Sequence, residues 1–201
     1  MWLHPGFEPA QEHSGGRIDP RPDLGSTPVP CGVVPQISLR TAVVDDAEAI
    51  RSIYNHEVAT TTSTFELVPK SLDDQRQWIR HREGAFAAIV AIDESQPDNP
   101  IAGFGSLSPY KERPAYSTTV EDSVYVDRTM GGRGIGTLLL THLVDIARAS
   151  GFHAVMARIE ASGTASRALH TKCGFQLVGI ERQVGRKFNR WLDVAVMQRL
   201  L

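Results

Sequence analysis

The chain lacks most of the features that would point to a simple answer. Two cysteines in 201 residues, Cys31 and Cys173, are too few and too differently placed for a disulfide framework. There is no Cys-x-x-Cys, and the seven histidines are scattered, so no metal-ligand spacing stands out and no metal is expected. No apolar run approaches the roughly 18 residues of a membrane span. Neither sign of charge dominates: 21 basic against 23 acidic residues leave a net charge of −2, which argues against a nucleic-acid surface. No basic start leads into an apolar stretch, so a secretory leader is not expected and a reducing cytoplasm is the simplest setting. What remains is ordinary globular composition, 41% apolar, enough for one core and an appendage.

Residues 1–36 stand apart. They hold seven of the twelve prolines and no apolar period, so they read as a disordered or extended arm without chemistry. From residue 37 the pattern becomes regular. Ile37–Thr41 alternates as a strand. Asp45 or Asp46 caps a helix running to about Ala59. Ser71 and Asp74 form a capping-box pattern that opens a second helix to about Glu83. Phe86–Ile92 and Ile101–Ser108 are apolar strands joined by a polar turn over Asp93–Asn99. Val120–Asp127 is a further strand, Ile135–Ser150 a helix stopped by Gly151, and Ala154–Ile159 a strand parallel to 120–127. Thr164–Cys173 is a helix closed by Gly174, and Gln176–Gln183 with Arg190–Leu200 make a final hairpin. Cys173 reads as a small, at least half-buried residue. The order gives a single α/β domain over 37–201, a mixed sheet of about seven strands flanked by helices.

The chemistry concentrates where the 120–127 strand meets the next helix. Met130-Gly-Gly-Arg-Gly-Ile-Gly-Thr137 brings a glycine-rich turn to a helix N-terminus, which makes an anion site from backbone N–H groups. A Walker A loop has a lysine where Thr137 stands. The dinucleotide fingerprint fails as well, because Gly132, Gly134 and Gly136 are spaced Gly-x-Gly-x-Gly and no acidic residue follows at the required distance. Arg133-Gly-Ile-Gly136 instead resembles the core of the pyrophosphate loop of the acetyl-CoA-dependent N-acetyltransferases, the GNAT superfamily.

Further blocks carry the resemblance to one branch, the phosphinothricin acetyltransferase-like enzymes. They are Tyr54-Asn-His56, Tyr110-Lys-Glu-Arg-Pro-Ala-Tyr116, Thr119-Val-Glu-Asp-Ser-Val-Tyr-Val126, Ser166-Arg-Ala-Leu-His170 and Lys187-Phe-Asn-Arg-Trp-Leu-Asp-Val194, in family order across roughly 37–200. Two positions depart from the wider pattern. Gly131 replaces the usual Gln or Arg of the loop, and Gly163 replaces an Asn that often contacts the pantetheine arm. Both weaken cofactor binding without abolishing it, since backbone N–H groups hold the phosphates.

The resemblance implies a GNAT fold in which strand 120–127 and the next parallel strand splay apart to hold acetyl-CoA. It places the co-substrate against Val124, Tyr125, Val126, Gly132, Arg133, Gly134, Ile135, Gly136, Thr137, Gly163 and Ser166. Acyl transfer to an amine requires the neutral amine. Glu121, at the edge of an apolar strand, is the candidate base, directly or through a water. Asp122 faces the other way and is read as non-catalytic. A backbone N–H near Val126 polarises the thioester. His170 stands where many members have a tyrosine that protonates the leaving thiolate and is the candidate for that acid; a packing or capping group also fits its place. His142 is read as a satisfied interior histidine. Phe65, Lys111, Arg113 and Tyr116 are expected to bind the acceptor, two cations and an aromatic suiting the anionic oxygens of an amino-acid-type substrate. Lys187, Trp191 and Asp193 are assigned to a dimer contact or a wall of the site. The expected activity is acetyl transfer to the α-amine of a small amino acid analogue such as phosphinothricin, methionine sulfoximine or methionine sulfone, by a homodimer. Peptide N-termini or polyamines as acceptors, and an acyl-CoA-binding module with little catalysis, are the alternatives.

Overall fold

The computed structural model of the chain describes residues 36–95 and 101–201. The arm proposed for 1–36 lies, but for Gln36, outside the described residues, as does most of the polar turn before Ile101. The element order is β1 (Ile37–Thr41), α1 (Ala47–Thr60), α2 (Leu72–Arg80), β2 (Ile89–Asp93), β3 (Ile101–Pro109), β4 (Thr119–Val126), α3 (Ile135–Ala149), β5 (Ala154–Glu160), α4 (Thr164–Lys172), β6 (Gln176–Lys187) and β7 (Arg190–Leu200). It matches the order read from the sequence. The seven strands form one mixed sheet in the order β1-β2-β3-β4-β5-β7-β6.

Local signals account for most boundaries. The capping box before α2 is formed: Ser71 accepts from the Asp74 N–H, and Asp74 accepts from the Ser71 N–H. Left-handed Gly151 (φ 78°) and Gly174 (φ 84°) stop α3 and α4 in a conformation that costs glycine least. The strand expected from Phe86 begins only at Ile89, because a short turn over Gly84–Phe86 precedes it. Apolarity alone did not separate that turn from the strand. The second helix likewise ends at Arg80, three residues short of the expected end.

Two apolar cores lie on opposite faces of the sheet. On one, Ile50, Ile53 and Ile79 of α1 and α2 pack on Val90, Ile101 and Phe104. On the other, Leu139, Leu140, Leu143 and Val144 of α3 pack on Leu107, Val120, Val155 and Ala157. Burial of α3 follows one stripe, Ile135, Leu139, Leu140, Leu143, Val144 and Ala147. His142 falls outside that stripe and is exposed, which corrects its reading as an interior residue. Gly103 lets β3, β4 and α3 close up, since a Cβ there would lie 2.8 Å from the Tyr125 carbonyl oxygen. Among the described residues, no helix is long and apolar enough to cross a membrane.

Candidate active site

The site is built around a break in the sheet. β4 and β5 are parallel, and their pairing covers only Thr119–Ala154, Val120–Val155 and Glu121–Met156. Beyond Glu121 the two strands share no rung. On its other side β4 remains paired with β3 up to Val126. Backbone direction alternates along a strand, and the Asp127 N–H donates to the Ala102 carbonyl of the β3 side. Counting back from it, Glu121, Ser123 and Tyr125 bond to β3, while the N–H groups of Val124 and Val126 turn into the gap. The splay implied by the family resemblance is therefore present, with two donors aimed into it.

This alternation separates residues that the sequence grouped together. Tyr125 uses its backbone toward β3, and its ring stacks on Phe104 (5.3 Å) and meets Tyr54 edge-on (5.2 Å). It belongs to the α1–α2 core, where burial raises its phenol above the ordinary value. Its assignment beside Val124 and Val126 as a cofactor residue is corrected accordingly.

At the far end of the gap stands the glycine turn. Gly132 (φ 79°) and Gly134 (φ 80°) are left-handed, and open space surrounds the position of a Cβ on each. The first N–H bonded within α3 is that of Leu138, to the Gly134 carbonyl. The N–H groups of Ile135, Gly136 and Thr137 precede it and have no intrahelical acceptor. Open loop, free donors and the helix dipole suit a pyrophosphate. Gly136 brings α3 against Leu169 of α4, with a Cβ there only 3.1 Å from that side chain. The Arg133 guanidinium lies 3.2 Å from buried Asp93 at the end of β2. Gly163 caps α4, its N–H bonded to the Glu160 carbonyl at 2.8 Å.

The loop before the turn is anchored from α1. Arg128 makes a forked ion pair with Glu57 (2.7 and 2.6 Å). Thr61 and Ser63 add hydroxyl donors to the same carboxylate. Burial alone would raise the Glu57 carboxyl, but these hydrogen bonds outweigh it and hold it at about 2. Buried Lys187 donates to the Thr64 carbonyl at 2.8 Å and so pins the 60–64 segment from β6. Trp191 is exposed, and Asp193 accepts from the Gln183 N–H at a bulge of the hairpin.

Glu121 and Asp122 are neighbours with opposite surroundings. Glu121 faces the α1–α2 side, half-buried. Burial pushes its carboxyl above the ordinary range; the Asp122 and Glu181 carboxylates add to that rise and the Arg158 guanidinium opposes it. Asp122 is buried on the other face, 3.1 Å from His170 Nε2. The other ring nitrogen, Nδ1, is 2.7 Å from the Ser166 carbonyl and must carry a proton to bond it. Burial disfavours the charged imidazole, yet Asp122 and the Ser166 carbonyl outweigh this and raise His170 above its ordinary value. Both ring nitrogens are thus engaged inside the protein. In this arrangement His170 is a buried tie between α4 and β4, and no N–H is left over for a thiolate. Ser166 holds His170 through its carbonyl, and its hydroxyl lies 3.5 Å from the same nitrogen.

The residues expected to bind the acceptor lie on two segments, the 110–116 loop before β4 and Phe65 beside β6. Tyr110 packs on Met156, Val194 and Val196. Lys111 Nζ sits 4.7 Å from the Tyr110 ring centre and 5.1 Å from that of Tyr116. Arg113 precedes the short turn Pro114–Tyr116 and is exposed. Phe65 lies on the backbone of Gly185 in β6, where a Cβ would overlap its ring. Sequence reading missed Arg158 and Glu181, which pair through both guanidinium ends (3.0 and 2.5 Å) on the Glu121 face. The available signal was the arginine in Ala154-Val-Met-Ala-Arg-Ile-Glu160, alternating with residues of the α3 core. Among the described residues no three His, Cys, Asp or Glu side chains converge as metal ligands.

Comparison with known proteins decides the family. The family model described as an acetyltransferase (GNAT) domain matches residues 39–196. The chain belongs to the GNAT acetyltransferase family. As such it is an acyltransferase. Over 168 residues the GNAT chain is 39% identical to a phosphinothricin N-acetyltransferase of Streptomyces coelicolor, covering 83% of this chain and 97% of that one. It is 38% identical over 163 residues to an L-methionine sulfoximine/L-methionine sulfone acetyltransferase of Pseudomonas paraeruginosa, covering 80% and 92%. A phosphinothricin acetyltransferase from Sinorhizobium meliloti, solved in complex with AcCoA, superposes with a TM-score of 0.77 at 36% identity, covering 82% and 88%.

Proposed function

We propose that this GNAT enzyme acetylates the α-amine of a small amino acid analogue of the phosphinothricin or methionine sulfoximine and sulfone type, with Glu121 as general base. The observation that carries the reading is a half-buried carboxyl with a raised pKa beside the gap where β4 parts from β5. Acetyl-CoA is the co-substrate, and when bound it supplies the thioester whose acyl carbon the amine attacks. The donor groups fit it: the N–H groups of Ile135, Gly136 and Thr137 would hold the pyrophosphate, helped by those of Gly132, Arg133 and Gly134. The β4 edge at Val124 and Val126 would pair with the arm and meet the carbonyl. Gly163 and Ser166, at the start of α4, would border the same arm.

Glu121 takes the proton from the amine, directly or through one water, as the nitrogen bonds to carbon; the carbon–sulfur bond breaks in turn, and the coenzyme A thiolate leaves and takes its proton from solvent. The raised pKa brings the base closer to that of the proton it removes. The Val126 N–H stabilises charge on the carbonyl oxygen as it develops. Lys111, Arg113 and Tyr116 orient the acceptor's anionic oxygens, and Phe65 supplies an apolar contact. The cations argue against a polyamine acceptor. The same reading expects a homodimer formed through the β6–β7 edge, where Val178, Val184, Phe188 and Trp191 are exposed. Light scattering at micromolar protein checks it, and a 22.0 kDa species would count against it.

The test of function is thiol release from acetyl-CoA against phosphinothricin, methionine sulfoximine, methionine sulfone, the common amino acids, short peptides and polyamines. Turnover confined to the amino acid analogues supports the assignment. Turnover only with peptides or polyamines overturns it.

A further inference from the structure

Among the described residues Arg158 is the cation whose charge acts on Glu121, and the acceptor residues read from the sequence do not include it. It sits on β5, two residues past Met156, where the last β4–β5 rung is made. Met156 packs with Tyr110 on the acceptor face, and alternation puts Arg158 on that face too. Its charge acts on Glu121 and on Tyr110. Its side chain is 34% exposed, so a small molecule can reach it. Glu181 binds one end of the guanidinium through both Nη atoms. Of the five guanidinium donors, three remain unspent, among them Nε–H.

The chemistry of the acceptor makes this position informative. In an α-amino acid the amine nitrogen and the carboxylate are attached to the same carbon. A base that reaches the amine must therefore have the carboxylate close beside it. An oriented guanidinium next to that base is the group suited to receive it. Lys111 and Arg113, on the loop before β4, are then left for a second anionic or polar oxygen at the side-chain end of the acceptor.

We propose that Arg158 binds the acceptor's α-carboxylate, with Glu181 as the positioning residue that holds the guanidinium in place. The enzyme therefore selects free α-amino acids over acceptors whose carboxylate is blocked as an amide or peptide bond. This inference rests on the amino-acid reading of the site given above.

The test compares methionine sulfone with methionine sulfone amide as acceptors, in the wild-type protein, Arg158→Gln and Glu181→Gln. The wild type is expected to prefer the free acid. In Arg158→Gln the acid-over-amide ratio of kcat/KM should fall about 10- to 100-fold, mostly through KM for the acid. Glu181→Gln keeps the cation and loosens its aim, so the ratio should fall about three- to tenfold. Thermal denaturation of each variant separates this from loss of fold. A ratio unchanged by Arg158→Gln, in a folded variant of an active enzyme, overturns the role of Arg158 alone. A wild type that binds acetyl-CoA but acetylates neither compound overturns the amino-acid reading of the site as well.

Discussion

The two faces of β4 carry adjacent carboxylates that have been put to different uses. Glu121 looks toward α1 and α2, is half-buried, and has no ion-pair partner among the described residues. Asp122 looks toward α3 and α4, is buried, and is matched by His170 at 3.1 Å. One oxygen of Asp122, Oδ1, is buried without a hydrogen-bond partner. Burial acts on both faces. Where no cation is paired with the carboxylate, burial leaves a group ready to take a proton. Where a histidine meets it, burial makes a structural tie. One residue along a strand is enough to reverse the surroundings, because side chains alternate between faces.

The contrast can be broken from either side. Glu121→Gln should lower kcat/KM by about 10²- to 10⁴-fold with little change in thermal stability, checked by thiol release and thermal denaturation. Turnover equal to the wild type in that variant removes Glu121 as the base. Asp122→Ala should do the reverse. It takes the carboxylate partner from the buried His170 ring, at a cost of about 1–3 kcal/mol measured by urea unfolding, and activity lost should follow protein unfolded. A full loss of turnover in stably folded Asp122→Ala would move catalysis to the other face.

The His170 pKa gives a sign to test. It is raised above 6.5, so its pairing with Asp122 contributes stability that is fully present below pH 6.5 and is lost as pH rises through the higher folded value. Unfolding of wild type and His170→Gln across pH 5–9 should show the gap between them narrowing toward alkaline pH. Glu57 behaves oppositely: held at about 2, its contribution is present above pH 4.5 and disappears as pH falls toward 2.

The smallest expected effect concerns the glycine turn. A Cβ on Gly131 would lie 3.5 Å from the Arg128 carbonyl, an ordinary contact. Gly131→Gln should therefore fold normally and tighten acetyl-CoA binding by less than about tenfold, one hydrogen bond being worth about 0.5–1.5 kcal/mol, as calorimetry would show. At Gly163 the same Cβ meets the Glu160 carbonyl at 3.0 Å, so Gly163→Asn should strain the start of α4.

Much of this molecule was legible as sequence because its signals are local. The Ser71–Asp74 box, the stopping glycines at 151 and 174 and the apolar alternation of β4 each depend on neighbours in the chain. The glycine turn at the start of α3 and the place of Glu121 on β4 could be read for the same reason, helped by the family blocks. What the sequence hid was long-range. The Asp122–His170 pair spans 48 residues and Arg158–Glu181 spans 23, and no local pattern reports that such side chains meet. His142 misled because its place in a helix says nothing about which stripe is buried until the core is known. Tyr125 misled because a motif names consecutive residues, while a strand divides them between two faces.

The most direct measurement is the pH dependence of kcat/KM for methionine sulfone, corrected for the fraction of free amine, in the wild type and in Glu121→Gln. The account predicts an acid limb in the wild type above the 4.5 of an ordinary glutamate, rising as Glu121 ionises and absent from the variant. The same limb at the same pH in Glu121→Gln would contradict it, because the titrating base would then be another group.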